Sequence, residues 1–395
     1  MVGMRITHCL PIFSELTQTF IYELVGNLQR HPDLDIRVLT WNRKNAQERP
    51  FDPVETISRP GRGETLYLRA LRLLPEFIEN RLPVSGFERR LQDALKASAS
   101  ELVHAQFGPT ATLVGRACRR AGVPLVVTFR GRDASAKLRK WRWRRLYQRT
   151  LAHAAAITCV SRELCERIRP LLPASTNVVF VPGGKQSQGL EFRLPPPPRG
   201  RLISVGRLIE KKGHGDAVRA LALAVERGVD AKLTIVGEGP LKPSLEKQIA
   251  EAGLQNRVHM TGPLPFHEVI QRMQAADFLI AANRTGANGD CEGIPNVVKE
   301  AQILGLPVIG TRHGGIPDAL PDTARNELVD EGDVEALADR IEGMQNQDIT
   351  ALHERARAGH EFILDRFSPE AEVQAYADLY AHILGRTLSQ GGETA

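Results

Sequence analysis

Short apolar runs alternate with longer amphipathic stretches along nearly the whole chain. The run "MRITHCLP" precedes the helical pattern "TQTFIYELVGNLQRH", and "LDIRVLTW" follows it. The alternation recurs around "ELVHAQFG", "PLVVTFRG", "AAAITCVS" and "NVVFVPGG". These runs are short, rich in β-branched residues and bounded by Gly and Pro, which is typical of strands buried on both faces of a parallel sheet. The pattern therefore predicts an α/β fold.

The alternation is interrupted at "PGGKQSQGLEFRLPPPPRG", residues 182–200. Four consecutive prolines beside Gly, Gln and Ser indicate a linker. The alternation of strand-like and helical stretches resumes after it, with the strand-like runs "RLISVGR", "AKLTIVGEG", "RVHMTG", "FLIAAN" and "PVIGT". We therefore predict two doubly wound, Rossmann-like domains, over residues 1–190 and 191–365, and a C-terminal helix within 366–395 that packs back on the first domain. Ligands of such sheets bind beyond the carboxyl ends of the strands.

Length and composition agree with this organisation. A chain of 395 residues is too long for one ordinary core. An apolar share of 42% and a charged share of 25% are those of a globular protein. The sequence contains no apolar run of the roughly 18 residues that a membrane span needs. The five cysteines are an odd number without a Cys-x-x-Cys pair, which predicts reduced thiols in a cytoplasmic protein rather than a structural zinc site.

The net charge of +6 is unevenly distributed. Residues 1–185 carry 30 Lys and Arg against 16 Asp and Glu, a difference of +14, whereas residues 186–395 carry 22 against 30, a difference of −8. A change of sign at mid-chain supports two domains with different partners. A basic half suits nucleic acid, anionic lipid or a phosphorylated substrate, and composition does not choose among them.

The stretch "GDCEGIPNVVKEA" places Glu292 and Glu300 eight residues apart around uncharged residues. We predict a helix from Ile294, because Pro295 suits a first helical position. The backbone N–H groups at this helix start would form a site for an anion or a hydroxyl group. The two carboxylates would lie about 12 Å apart along the axis, the reach of an extended ligand with hydroxyls at both ends and phosphates in the middle. The alternative is a helix-start charge plus an unrelated surface acid.

A second candidate is "SVGRLIEKKGH", in which cations follow a predicted strand. Arg207 could bind a phosphate through its planar guanidinium, and Lys212 could do so as a point charge. The alternative is a solvated basic turn. The stretch "VGEGP", which contains Gly237, is a weaker signal because Gly-x-Gly after a strand is often only a turn.

Together with "MTG" and "DCEGIPNVVKEAQILGLPVIGTRHGGIPDAL", these stretches resemble the donor domain of retaining glycosyltransferases of family 4. The first half is similar through "ELVHAQFG" and "PLVVTFRGRDAS", and "PIFSELTQTFI" resembles the opening of exopolysaccharide transferases of the colanic-acid type. The resemblance implies the GT-B fold, in which two Rossmann-like domains face each other across a cleft. It also implies a hexosyltransferase that retains configuration and uses a nucleotide-diphosphate sugar, UDP in preference to GDP, without a metal or other cofactor.

The resemblance also implies roles for particular residues. Glu292 and the following backbone N–H groups would hold the sugar, Glu300 would bind the ribose, and Arg207 with Lys212 would hold the diphosphate and stabilise the leaving group. The expected donor site comprises Arg207, Lys212, Gly237, Met260, Glu292, Gly293, Ile294, Pro295, Asn296 and Glu300. The expected acceptor site comprises Ser14, Thr19, His104, Arg130 and Asp133. The side chains expected to take part in catalysis are Glu292, Arg207, Lys212 and Arg130.

The chain departs from the family pattern at Arg130, which stands in "FRGRD" where relatives have a histidine near the reacting sugar. Arginine stays charged and cannot exchange a proton as imidazole does. Three interpretations stay open: Arg130 binds an anionic sugar or acceptor, it holds a phosphate, or the enzyme is impaired. Gln106 likewise stands where relatives often have a second histidine, and His104 is either an acceptor contact or a structural residue.

The stretch "KLRKWRWRRLYQRT", residues 137–150, carries seven cations around Trp141, Trp143 and Tyr147. A basic helix with tryptophan suits an anionic membrane surface, such as the inner face of the cytoplasmic membrane where a lipid-linked acceptor would lie. The alternative is a helix whose aromatic residues pack inward. Nucleic acid is not an expected partner, because no nucleic-acid module is recognisable.

We therefore predict an enzyme that transfers a hexosyl group to a saccharide or lipid-linked saccharide in polysaccharide or glycoconjugate biosynthesis. Two alternatives remain. The first is a catalytically silent GT-B subunit that binds a sugar nucleotide, which Arg130 keeps open. The second is a nucleotide-sugar epimerase, although that group lacks the acid-x7-acid pattern in this setting.

Overall fold

The computed structural model of the chain divides into two compact units. The first comprises Met1–Gly184 and Pro369–Ala395, and the second comprises Lys185–Ser368. The structure describes residues 3–15, 19–71, 74, 76–79, 81–325, 327–344 and 347–389.

The first unit contains a parallel seven-stranded sheet in the order β3-β2-β1-β4-β5-β6-β7. Its strands are β1 Met4–Leu10, β2 Leu34–Thr40, β3 Val54–Thr56, β4 Leu102–Gln106, β5 Leu125–Phe129, β6 Ala156–Cys159 and β7 Val178–Phe180. The order reverses direction between β1 and β4, which is the position where doubly wound sheets bind ligands.

Helices cover both faces of this sheet, which explains why its strands read as continuous apolar runs. Alternate residues of one strand enter different cores: Val126 shares a core with Val25 and Tyr376, whereas Val127 shares one with Leu91 and Tyr147. The helices of this unit are α1 Thr19–Gln29, α2 Arg62–Leu71, α3 Glu76–Glu79, α4 Gly86–Ala97, α5 Gly108–Ala121, α6 Trp141–Leu151, α7 Arg162–Ile168 and α15 Pro369–Leu384.

The second unit contains a parallel five-stranded sheet in the order β10-β9-β8-β11-β12. Its strands are β8 Arg201–Val205, β9 Lys232–Val236, β10 Val258–Gly262, β11 Phe278–Ala281 and β12 Val308–Gly310. Its helices are α8 His214–Glu226, α9 Lys242–Glu251, α10 Phe266–Ala275, α11 Asn296–Leu304, α12 Asp322–Arg325, α13 Val334–Gly343 and α14 Ile349–Arg366. The strand order reverses between β8 and β11.

The division between the units differs from the predicted boundaries of 190/191 and 365/366. The segment after Gly184 already belongs to the second unit, because its backbone is bonded there: Lys185 N–H donates to the Phe367 carbonyl and Arg193 N–H to the Leu304 carbonyl. The proline-rich stretch therefore packs along the second unit. The C-terminal helix α15 packs on the first sheet, with Tyr376 fully buried there.

Candidate active site

The candidate donor residues lie where the strand order of the second sheet reverses. β8 and β11 are parallel neighbours, so the loops that leave their carboxyl ends start side by side. Arg207 follows β8, and a one-turn 3₁₀ helix over Glu210–Lys212 leads from it to α8. Glu292 lies in the loop that follows β11. The fold therefore brings the Arg/Lys stretch and the first acid of the acid-x7-acid motif together, although 85 residues of sequence separate Arg207 from Glu292.

Two glycines allow the loops to approach this closely. Gly213 adopts a φ of +67°, and a Cβ there would lie 1.6 Å from the Ala282 carbonyl oxygen. Gly237, predicted as a donor-binding residue, adopts a φ of +140°, and a Cβ there would lie 2.0 Å from the Gly206 carbonyl oxygen. Any side chain at either position would clash with backbone as well as adopt a strained φ. Close packing of the backbone therefore requires glycine at both positions.

Glu292 is held between two lysines. Its Oε1 lies 2.9 Å from Nζ of Lys212 and 3.5 Å from Nζ of Lys211. Burial alone would raise the pKa of the Glu292 carboxyl, but the charges of Lys212 and Lys211 outweigh it and lower that pKa to about 2. The carboxylate is therefore ionised near neutral pH, where it can accept hydrogen bonds but is too weak a base to take a proton.

The helix after Glu292 begins two residues later than predicted. α11 starts at Asn296, and Pro295 is its N-cap residue with extended backbone rather than its first helical residue. Among the described residues no side chain caps this helix start, and Val298 N–H donates to the Pro295 carbonyl at 3.1 Å. The backbone N–H groups of Asn296 and Val297 are therefore the ones left available to a ligand. Gly293 and Ile294 belong to the preceding loop.

The second acid of the motif, Glu300, lies inside α11 and is 8% exposed. Its Oε1 lies 2.8 Å from Nζ of Lys185, the first residue of the second unit. The Lys185 ammonium also lies 5.1 Å from the ring centre of Phe266, which is 53% exposed at the start of α10. The predicted ribose-binding carboxylate is therefore paired with a lysine that the sequence analysis did not select.

The other predicted donor residues take simpler positions. Arg207 is exposed, and among the residues that the structure describes it has no ion-pair partner. Met260 lies in β10, partly buried against the apolar core of the second unit. Arg207 is thus a guanidinium free to bind an anion, and Met260 is a packing residue next to the strand end.

In the first unit, Arg130 follows β5 and is held by neighbours. Its Nε and Nη2 donate to Oε1 of Gln106 at 3.2 and 3.0 Å, and its guanidinium lies 4.8 Å from the ring centre of Phe20. Arg130 and Gln106, which stand where relatives have histidines, are therefore hydrogen-bonded to each other. Burial and the charge of Arg130 lower the pKa of the neighbouring His8 to about 3, so His8 is neutral.

His104 does not reach the surface. It is fully buried, with Nδ1 2.6 Å from the Tyr380 hydroxyl and Nε2 2.6 Å from the Thr128 hydroxyl. Burial, His8 and Arg130 lower the pKa of His104 well below its usual range. These contacts favour the structural alternative for His104: the side chain ties α15 to the first sheet through Tyr380 of the C-terminal helix.

Asp133, another residue expected at the acceptor site, is also held by its neighbours. Its Oδ1 accepts from the backbone N–H groups of Arg130 and Gly131 at 3.1 and 3.0 Å, and its Oδ2 accepts from Gly108 at 3.1 Å. At 5% exposed, Asp133 has its oxygens engaged in holding the loop that carries Arg130. Burial raises the pKa of Asp133 even though these backbone bonds oppose the shift. Asp133 therefore positions Arg130, and its role as an acceptor residue stays a prediction.

The remaining predicted acceptor residues lie near the end of β1. Ser14 is 3% exposed and has a φ of +62°, and within the part of the chain that the structure describes its hydroxyl has no hydrogen-bond partner. Thr19 is the first residue of α1 and is partly buried. Ser14 and Arg130 thus both follow strands at one edge of the sheet, whereas His104 lies within β4.

The basic stretch 137–150 is not one helix. A 3₁₀ turn over Ala136–Arg139 precedes α6, which begins at Trp141. Tyr147 is fully buried and Trp143 packs against the core beneath the ammonium of Lys137, 4.1 Å from its ring centre. Trp141, in contrast, is 66% exposed. The aromatic residues therefore divide between core and surface. The exposed surface around Trp141 also carries Lys140, Arg142, Arg144 and Arg145.

Several residues near the candidate sites were not predicted from the sequence. In the second unit these are Lys185, Lys211, His313 and Glu331, and in the first unit they are His8, Tyr376 and Tyr380. Lys211 was visible beside Lys212, and His313 lay within the quoted "TRHGGIPDAL". Nothing in the local sequence distinguishes the others, because their partners lie far away along the chain.

Two family models match the chain in the order of its two units. Residues 17–184 match the glycosyl transferase 4-like domain, and residues 191–360 match glycosyl transferases group 1. The chain is 38% identical over 138 residues to the amylovoran biosynthesis glycosyltransferase AmsK of Erwinia amylovora, a match that covers 35% of this chain and 34% of AmsK. It is 37% identical over 178 residues to the putative colanic acid biosynthesis glycosyltransferase WcaL of Escherichia coli, which covers 45% of this chain and 44% of WcaL. The chain thus spans less than half the length of these curated relatives.

A longer match, at 26% identity, covers 82% of this chain and 84% of a GDP-mannose-dependent phosphatidylinositol monomannoside mannosyltransferase of Mycolicibacterium smegmatis. Among solved structures, Anabaena HepE in complex with UDP superposes with a TM-score of 0.74 at 15% identity, over 96% of this chain and 100% of that one. Such low identity shows the fold alone. The predicted resemblance and the two-sheet α/β fold are confirmed: the chain belongs to the family 4 glycosyltransferases of GT-B fold.

Proposed function

We propose that the protein is a retaining hexosyltransferase that uses a nucleotide-diphosphate sugar, UDP in preference to GDP. Its acceptor is a saccharide or lipid-linked saccharide in polysaccharide or glycoconjugate biosynthesis. The observation that carries the proposal is the ionised Glu292 between Lys211 and Lys212, next to the uncapped start of α11. Family membership and the names of the exopolysaccharide relatives support the same reaction class.

The charges suit a sugar nucleotide. An ionised carboxylate only accepts hydrogen bonds, so Glu292 would bind sugar hydroxyls and stabilise positive charge that develops on the sugar ring. Lys212 has three N–H donors and can bind Glu292 and a phosphate oxygen together. Arg207, exposed at the end of β8, would hold the diphosphate with its planar guanidinium. These fixed cations would neutralise the leaving group, which is why we expect no metal requirement.

In the proposed reaction the bond between the anomeric carbon and the diphosphate oxygen breaks. The acceptor oxygen forms its bond to the same face of that carbon, and its proton passes to the departing phosphate. Glu292 is unsuited to take this proton, because its pKa is about 2. Its role would be to bind and stabilise rather than to transfer protons.

The choice of UDP over GDP is part of the proposal. HepE, which shares the fold, was crystallised with UDP, whereas the mycobacterial relative is named as GDP-mannose-dependent. Glu300 would bind the ribose in either case, with Lys185 beside it. The base would lie near the backbone of Met260 to Gly262, where backbone contacts rather than charges would select it.

A peripheral membrane contact on the cytoplasmic side is a further part of the proposal. Among the residues that the structure describes, no helix has both the length and the apolar content to span a bilayer. The surface formed by Lys140, Trp141, Arg142, Arg144 and Arg145 combines an exposed tryptophan with four cations. Such a surface suits anionic lipid headgroups, next to which a lipid-linked acceptor would be found.

The experiment incubates the protein with UDP-glucose, UDP-galactose and UDP-glucuronate, with GDP-mannose for comparison, in EDTA and with a lipid extract as the acceptor source. Release of nucleoside diphosphate with an α-linked product by proton NMR is the expected result for these α-configured donors. Binding without release would favour the silent subunit, and interconversion of the sugar without transfer would favour the epimerase. A β-linked product would contradict retention, and loss of turnover in EDTA would contradict metal independence.

A further inference from the structure

A buried histidine accepts a hydrogen bond from the backbone of Glu292. His313 follows β12 and is fully buried. The backbone N–H of Glu292 donates to its Nε2 at 3.1 Å, and Sγ of Cys291 lies 3.6 Å from the same nitrogen. The loop after β12 thus contacts the loop after β11 at the residue that carries the candidate sugar-binding carboxylate.

The other nitrogen of this histidine is bound by an acid. Nδ1 of His313 lies 2.6 Å from Oε1 of Glu331, and Oε2 of Glu331 accepts from the backbone N–H of Thr285 at 2.7 Å. Burial alone would raise the pKa of Glu331, but the hydrogen bonds from His313 and Thr285 lower it to about 2. Glu331 is therefore an ionised acceptor at neutral pH.

These contacts define the protonation of the ring. Nε2 accepts a hydrogen bond from Glu292, so it carries no proton. Nδ1 must then carry the proton that it donates to Glu331. The hydrogen bonds run from the backbone of Thr285 to Glu331, through His313, to the backbone of Glu292, and they connect the loops after β11 and β12.

We infer that His313 and Glu331 are positioning residues, which fix the backbone of Glu292 so that its carboxylate and the following N–H groups face the donor sugar. The inference rests on the proposed function. Lys211 and Lys212 bind the Glu292 side chain, whereas His313 binds its backbone N–H. This main-chain anchor keeps the carboxylate in a defined place, as rigid supporting residues do for binding groups in general.

Calorimetric titration of the wild-type, His313→Leu and His313→Gln proteins tests this inference. The ligands are UDP and whichever of UDP-glucose, UDP-galactose and UDP-glucuronate binds the wild-type protein most tightly. His313→Leu should weaken binding of the UDP-sugar at least tenfold, whereas its affinity for UDP should stay within twofold of wild type. UDP lacks the sugar that Glu292 would bind. His313→Gln should recover most of the loss, since its Oε1 can accept from the Glu292 N–H. Equal weakening of UDP and UDP-sugar in His313→Leu, or unchanged binding of both, overturns the inference.

A second measurement does not depend on ligand binding. Nitrogen-15 NMR of histidine-labelled wild-type protein at pH 7.5 should show one buried histidine with a protonated Nδ1 and an unprotonated Nε2 that shifts when Glu331→Gln is made. The opposite tautomer or a charged ring at His313 overturns the inference while leaving the proposed function intact. A wild-type protein that binds neither UDP nor any UDP-sugar removes the proposed function, and the inference with it.

Discussion

The Lys212 ammonium and the Glu292 carboxylate form an ion pair of 2.9 Å in which both side chains are mostly buried, 16% and 18% exposed. Each group belongs to a different loop, and the pair joins the loops that follow β8 and β11. The pair both stabilises the fold and sets the charge of the candidate site. A functional group that is also a structural contact has effects on stability that can be measured separately from activity.

Lys212→Met should lower the free energy of unfolding by about 1–3 kcal/mol at pH 7, because a shift of one pKa unit corresponds to about 1.4 kcal/mol. The pKa of Glu292 is lowered from 4.5 to about 2, so the stabilisation is full above pH 4.5 and is lost as the pH falls toward 2. Urea unfolding at pH 7 and pH 3.5 should show the difference from wild type shrinking at the lower pH. Lys247→Met is the control, because Lys247 forms an exposed pair with Glu251 at 3.6 Å. A difference that grows on acidification would contradict the low pKa.

Glu300→Gln should remove the recognition of the ribose. The wild-type protein should bind UDP at least tenfold more tightly than 2′-deoxy-UDP, and the variant should bind the two alike, because an ionised carboxylate is the stronger acceptor for hydroxyl hydrogens. Isothermal calorimetry with both ligands measures this. Glu268→Gln, a partly buried acid in the first turn of α10, serves as the matched control. Retained discrimination in Glu300→Gln would remove Glu300 from the ribose site.

Arg130→Ala should lower the rate of transfer at least tenfold while the affinity for UDP stays within twofold, because the proposed phosphate-binding residues lie in the second unit. Gln106→Leu should give a smaller loss in the same direction, since it frees the guanidinium from its two hydrogen bonds. Transfer rates and UDP titrations separate the two effects. Arg132→Ala, an exposed arginine two residues away, is the control. A large loss of UDP affinity in Arg130→Ala would assign Arg130 to the phosphate instead.

The surface around Trp141 should bind anionic vesicles. The wild-type protein should sediment with vesicles of 30% phosphatidylglycerol in phosphatidylcholine, since each cation contributes about 1 kcal/mol near such a surface. It should not sediment with vesicles of pure phosphatidylcholine. Arg144→Gln with Arg145→Gln should weaken binding at least tenfold, and Trp141→Ala should weaken it further. Arg272→Gln with Arg340→Gln removes the same charge from exposed positions of the second unit and should leave binding unchanged. Equal loss in both double variants would argue for net charge rather than a specific surface.

The strands and most helices were predictable, because each is encoded locally. Short apolar runs bounded by Gly and Pro become the parallel strands, and the helical pattern "TQTFIYELVGNLQRH" contains α1, Thr19–Gln29. The start of α11 was misplaced by two residues, because Pro295 is equally acceptable as an N-cap residue with extended backbone. The proline-rich stretch looked like a free linker, although Leu190 is buried in the core of the second unit.

The partners of the site residues could not be predicted in the same way. Lys185 reaches Glu300 across 115 residues, and His104 is bonded to Tyr380, 276 residues away. Such contacts depend on which loops the strand order brings together, and local periodicity carries no information about strand order. Arg130 and Gln106 were identified individually by comparison with the family's pattern of histidines, but the hydrogen bonds between them appear only in the structure.

The most direct test of the proposed donor site is a calorimetric titration of the purified protein with UDP, GDP and ADP in the presence of EDTA, beside Arg207→Ala and the surface control Arg272→Ala. The expected result is selective binding of UDP by the wild-type and control proteins that weakens at least tenfold in Arg207→Ala. Binding of none of the three nucleotides, or UDP affinity that does not depend on Arg207, would contradict the assignment of a donor site to the end of β8.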